Sequence, residues 1–189
     1  MGQSDVLMTR SLVGSDQLAR LVAGTKISGI ILILASSLTS ILFPKISTMK
    51  NKTEMNFLIR KYILVFLPFI GMILFCGFFI APYIIDFFLG VKYSSTINIF
   101  KISLLGYCVD LFITPISLVL FKLNQEKSLA ILNICQFLIN ILCNFWLIPD
   151  WGAEGASTAS TIVKVVALFY ALYLLYKHKV LTRPDKVSP

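Results

Sequence analysis

Long, nearly uninterrupted apolar runs leave this chain few ways to fold. Four clear ones cover Tyr62–Ile85, Ile97–Phe121, Ser128–Ile148 and Gly155–Tyr176, and an earlier one spans about Leu21–Phe43. Each is about 20 residues or longer, the length a helix rising ~1.5 Å per residue needs to cross ~30 Å of hydrocarbon. A hydrophobic fraction of 57% and a mean hydropathy of +0.85 agree. The expectation is an all-α integral membrane protein with five transmembrane helices. Residues 1–20 read as the end of a truncated helix plus an outer loop, 21–178 as the helical bundle, and 179–189 as a polar cytoplasmic tail.

The 17 Lys+Arg against 9 Asp+Glu give a net charge of +8, and the basic residues follow a topology. Lys45, Lys50, Lys52, Arg60 and Lys61 fall between the first and second runs. Lys122 and Lys127 follow the third, and Lys177, Lys179, Arg183 and Lys186 follow the last. The intervening connections hold Lys92 alone or, over Pro149–Glu154, no basic residue. Loops rich and poor in Lys/Arg therefore alternate. By the positive-inside rule the rich ones and the C-terminus are cytoplasmic. This accounts for the charge without nucleic acid, whose binding calls for a soluble basic surface with stacking aromatics.

Cys76, Cys108, Cys135 and Cys143 all lie inside the runs, and His178 is the only histidine. That pattern gives small apolar helix residues rather than a disulfide framework or metal site. No cofactor is expected. There is no nucleophile–His pair, phosphate-binding Gly-rich loop or metal-ligand cluster, so an enzyme is not expected either. Asp5 and Arg10 interrupt the N-terminal apolar stretch and no small-residue cleavage site follows it, so no cleavable signal peptide is expected. Gly14–Ser15–Asp16 signals a turn. Phe43–Pro44–Lys45 is expected to end the first helix, with Ile46–Lys61 polar and partly amphipathic at the surface. Pro68, Gly71 and Gly77 in the second run and Pro115 in the third predict kinks.

Function must lie in the polar residues within the runs. Ser103, Tyr107, Asp110, Thr114 and Ser117 share one face of the third helix, with Lys101 near its outer end. An ionised carboxylate at mid-membrane costs at least a few kcal/mol unless it meets a cation or water. Asp110 reads either as a structural ion-pair or hydrogen-bond anchor, or as a pathway or coupling residue. Lys164 is its counterpart in the fifth helix, preceded on the same face by Ser157 and Thr161. It sits too deep to snorkel easily, so it either faces an anionic substrate or pairs with Asp110. Asn133, Gln136, Asn140 and Asn144 lie on roughly one face of the fourth helix, as packing glue or as the lining of a polar cavity. Gly152, Ala156 and Ser160 form a small-residue stripe for close helix approach. Arg10, Arg20 and Lys26 gather at the N-terminal edge, to meet lipid headgroups or to contact phosphate oxygens. Asp110 reads as the one deep acid among several bases.

Four segments resemble, in order, motifs of one family. Asp5-Val-Leu-Met8 with Leu12-Val-Gly14 is similar to "D-x-x-M-L-G-x-x-x-G". Leu42-Phe-Pro44 matches "LFP", and Phe87-Phe-Leu-Gly-Val-Lys-Tyr93 resembles "LFG-x-x-Y". Asn144-Phe-Trp-Leu-Ile-Pro-Asp-Trp-Gly-Ala-Glu-Gly-Ala156 looks like "N-x-x-L-I-P-x-x-G-x-x-G-A". The family is the Wzx-type oligosaccharide flippases, the polysaccharide biosynthesis proteins, in the superfamily that also holds the multidrug and toxin exporters.

The resemblance implies a twelve-helix transporter of two six-helix halves, with this chain matching the end of the seventh helix and helices eight to twelve. The odd span count and outside N-terminus then fit. It further implies the bacterial inner membrane, a lipid-linked oligosaccharide as substrate, and membrane lipids, a missing N-terminal half or polysaccharide polymerase machinery as partners. A cavity lined by cations would take the pyrophosphate of an undecaprenyl-linked repeat unit for O-antigen (lipopolysaccharide), capsule or exopolysaccharide. Arg10, Lys26, Lys101 and Lys164 are candidates by depth and charge, with no motif labelling them. Asp110 departs from the apolar or small polar residue usual at its place. A cation antiporter of the same superfamily and a non-functional remnant are the alternatives.

Overall fold

The chain, as a computed structural model, is described over residues 2–178 and Val180, without the side chains of Val91 and Lys92. Most of the tail expected over 179–189 thus lies outside the described residues. Six α-helices account for nearly all of the remainder: α1 (Gly2–Val13), α2 (Ser15–Ser28), α3 (Ile31–Thr48), α4 (Lys52–Leu89), α5 (Ile97–Lys122) and α6 (Glu126–Lys177). A short 3-10 segment, Val91–Thr96, leads into α5, and no strand occurs among the described residues. Four helical segments are long and apolar enough to cross a membrane: Ile31–Thr48, Lys52–Leu89, Tyr93–Lys122 and Glu126–Lys177. Their outward faces are apolar, as at Leu64, Phe75, Phe79 and Phe87 of α4. This architecture is compatible with a membrane helical bundle.

The expected first helix is broken. Thr25 donates its hydroxyl to the Leu21 carbonyl at 2.7 Å, and Ser28 to that of Gly24 at 2.8 Å. Such back-bonding bends helices. At Gly29 and Ile30 the bonding tightens to i→i+3, with Leu32 N–H to Gly29 at 2.9 Å, so α2 and α3 separate there. Pro44 does not end α3, which runs on to Thr48. Gly14, at φ 88, divides α1 from α2. The outer loop expected up to residue 20 is therefore helical from Ser15 onward. Lys52–Leu89 likewise extends well beyond Tyr62–Ile85 at both ends.

A straight α6 of 52 residues would reach about 78 Å. It folds back instead at Gly152, whose φ 56 and ψ −132 are open to glycine and strained for other residues. Its two arms then run side by side, so that Asn140 Nδ2 donates to Ser160 Oγ at 3.2 Å. Ala153 N–H donates to Gln17 Oε1 at 3.3 Å, which ties the bend to α2.

Three apolar clusters hold the helices. One gathers Ile46, Leu58, Ile59, Val119, Leu120, Leu174, Leu175 and Val180. It brings the C-terminal ends of α3, α5 and α6 against the start of α4, so the basic connections share one end of the molecule. The second joins α4 to α5 through Ile70, Ile85, Phe100, Leu104 and Leu111. The third, Leu21, Ile99, Ile148, Ala153 and Ala156, packs α2, α5 and the bend of α6 together. Ala156, Ala159, Ala167 and Ala171 are fully buried on the second arm of α6, where their size lets α5 come close.

Candidate functional site

Five helices leave a polar cavity of about 300 Å³ between them, lined by α1, α2, α5 and α6 with Leu32 of α3. Two charged groups meet on one wall. Lys164 Nζ lies 2.7 Å from Asp110 Oδ2, and the two side chains are only 16% and 28% exposed. The same ammonium stands 4.1 Å from the Tyr107 ring centroid, within cation–π range. α5 and α6 approach here because position 106 is glycine. A Cβ on Gly106 would stand 2.8 Å from Thr161 Oγ1. The Thr161 hydroxyl donates to the Ile102 carbonyl at 3.0 Å, and those of Ser103 and Ser157 lie 3.2 Å apart.

A second carboxylate lines the same cavity. Asp5, 7% exposed on α1, accepts from Asn144 Nδ2 at 2.7 Å and from Ser160 Oγ at 2.5 Å. Asn144 Nδ2 also donates to Asn140 Oδ1 at 3.2 Å, and Ser4 Oγ donates to the same acceptor at 3.0 Å. Asn140 and Asn144 are fully buried, and Asn144 Oδ1 has no hydrogen-bond partner among the described residues. With every group ionised, Asp5, Asp110 and Lys164 give the cavity a formal charge of minus one.

The sequence-derived candidates divide clearly. Asp110 and Lys164 come together on the cavity wall. Asn140 and Asn144 form the network behind Asp5, whereas Gln136 is half-buried and Asn133 exposed. Arg10 and Lys26 are exposed, and Lys101 is half-buried 5.5 Å from the Phe78 ring. None of these three cations lines the cavity. Helix periodicity explains the difference, since each points away from the α5–α6 seam. Nor is Asp110 the one deep acid, because Asp5 is buried in the lining of the same cavity. Sequence reading missed Asp5 as a site residue. Its partners stand 139 and 155 positions away, and the only local signal was the pair of amides at Asn140 and Asn144 with nothing nearby to bond.

The volume sits at the lower end of the ~300–1,000 Å³ of small-molecule sites. It suits water, an ion or one small polar head and is too small for a sugar repeat unit. No protein family, curated protein or solved structure matches this chain.

Proposed function

We propose that this chain is the C-terminal bundle of a Wzx-type oligosaccharide flippase, carrying undecaprenyl-pyrophosphate-linked repeat units across the bacterial inner membrane. Five spans are assigned: α2 with α3, then α4, α5 and the two arms of α6. The basic end faces the cytoplasm. The observation that carries the reading is a polar cavity in an otherwise apolar bundle, with the Asp110–Lys164 pair on its wall. The motif segments support it as well. Asn144 belongs to the Asp5 network, and Gly152 forms the α6 bend.

In the empty state Asp110 holds Lys164 neutralised. A pyrophosphate carries more charge than one carboxylate and competes for the ammonium, so substrate arrival breaks the pair. Movement of this bundle against a complementary half exposes the cavity alternately to each side. Because the cavity is small, the sugar path requires that other half, and the chain is inactive alone. Complementation tests this in a full-length flippase context. Asp110→Asn and Lys164→Ala abolish surface-polymer production at normal protein level. Normal production from both variants would remove the site assignment.

One observation favours a second reading. The cavity holds two carboxylates against one lysine, and Arg10, Lys26 and Lys101 stay outside it. An excess of acid attracts cations, as a cation antiporter of the same superfamily requires. Drug resistance on overexpression, lost in Asp5→Asn, would select that reading over the flippase.

A further inference from the structure

At the basic end, away from the polar cavity, α3 and α4 diverge and leave an open groove of about 680 Å³. Its walls are apolar: Leu42 from α3, Met49 just beyond its end, and Phe57, Val65 and Phe66 from α4. Its floor is rigid. The Tyr62 hydroxyl donates to the Leu111 carbonyl at 2.9 Å, and the Tyr62 ring stacks on Phe66 with centroids 4.1 Å apart.

Lys45 and Lys61 also line this groove, and both are exposed. Two other lysines at this end are engaged by backbone. Lys52 Nζ donates to the His178 carbonyl at 2.9 Å, and Lys122 Nζ to that of Ser47 at 2.6 Å. Lys45 and Lys61 have no ion-pair partner among the described residues. Glu54 on the same lining brings the formal charge to plus one.

We infer that this groove binds an anionic glycerophospholipid from the membrane leaflet at the basic end. One acyl chain lies along Phe57, Val65 and Phe66, and the phosphodiester sits between Lys45 and Lys61. The charge balance chooses the ligand: plus one complements a singly charged phosphodiester better than a pyrophosphate. Lysine suits the role, as a compact charge on a flexible stem whose methylenes can lie on the apolar wall. The site is independent of the proposed transport function.

The test is native mass spectrometry of the full chain, released from neutral detergent with phosphatidylglycerol or with phosphatidylcholine of the same acyl chains. The expected result is retention of phosphatidylglycerol over phosphatidylcholine by on the order of ten-fold, from two lysines near a headgroup. Lys45→Gln/Lys61→Gln removes that preference, Val65→Trp fills the trough and lowers retention of both lipids, and Lys127→Gln changes nothing. The substituted lysines are exposed, so the double variant keeps its fold, which its helical circular dichroism verifies. Equal retention of the two lipids by the unsubstituted chain overturns the proposal. So does a preference that survives in the double variant. Displacement of phosphatidylglycerol by inorganic phosphate would mark a free-anion site instead. A dimer lost in Val65→Trp would mark the groove as covered by a second copy.

Discussion

Asp110 and Lys164 show how one contact changes the meaning of two residues. Each charge alone is costly inside an apolar helical bundle, and together at 2.7 Å they offset much of that cost. Lys164→Met therefore strands Asp110 and lowers stability by about 3 kcal/mol. The neutral pair Asp110→Asn/Lys164→Met recovers most of that loss. Unfolding midpoints of the single and double variants in detergent micelles measure the coupling, and additive losses would contradict it. Asn144→Ala removes the 2.7 Å donor to Asp5 and is expected to cost about 1 kcal/mol in the same assay.

Among the helices, glycines at 106 and 152 decide how α5 and α6 meet. Gly106→Val pushes against Thr161, whose hydroxyl is already committed to Ile102 at 3.0 Å. The expected loss is ~1–3 kcal/mol, with a more open cavity. Gly152→Ala strains a backbone at φ 56, ψ −132 and costs about 1–3 kcal/mol, whereas Pro149→Ala, one turn earlier and exposed, has little effect. Thermal melts of the three variants check the order. Pro44 was a misleading guide to where a helix ends. α3 runs through Pro44 and α4 through Pro68 and Pro82, because neighbouring hydrogen bonds in a packed helix absorb the missing N–H. The break that does occur, at Gly29, follows a cluster of Thr25 and Ser28 hydroxyls that compete for backbone carbonyls.

Across the molecule, the apolar clusters gather the α3–α4 connection, the α5–α6 turn and the end of α6 at one end, while the α6 bend lies with α2 and the start of α5. Single cysteines at Lys50, Lys127 and Lys177 are therefore expected to react with a membrane-impermeant maleimide from one side only. A cysteine at Asp150 reacts from the other. Labelling of Lys50 and Asp150 positions from the same side would refute this arrangement.

Apolar run length was enough to read helices and a membrane setting, because crossing hydrocarbon demands about 20 apolar residues in a row whatever they later touch. Depth and charge were enough to single out Asp110 and Lys164, since a lone ion in that environment requires a partner. The fourth-helix amides were legible only as a face in need of acceptors. That Asn144 finds Asp5, that Asn140 finds Ser4 and Ser160, and that Asn133 stays exposed, depends on how α1 lies against α6. Arg10 and Lys26 carry the right charge and yet turn outward, and Lys101 lies against Phe78, a matter of helix rotation that local spacing does not encode. The cavity with its acid surplus, and the groove at the basic end, are spaces between elements distant in the chain. Only tertiary packing sets their size and lining, because a void is defined by the helices that fail to meet across it.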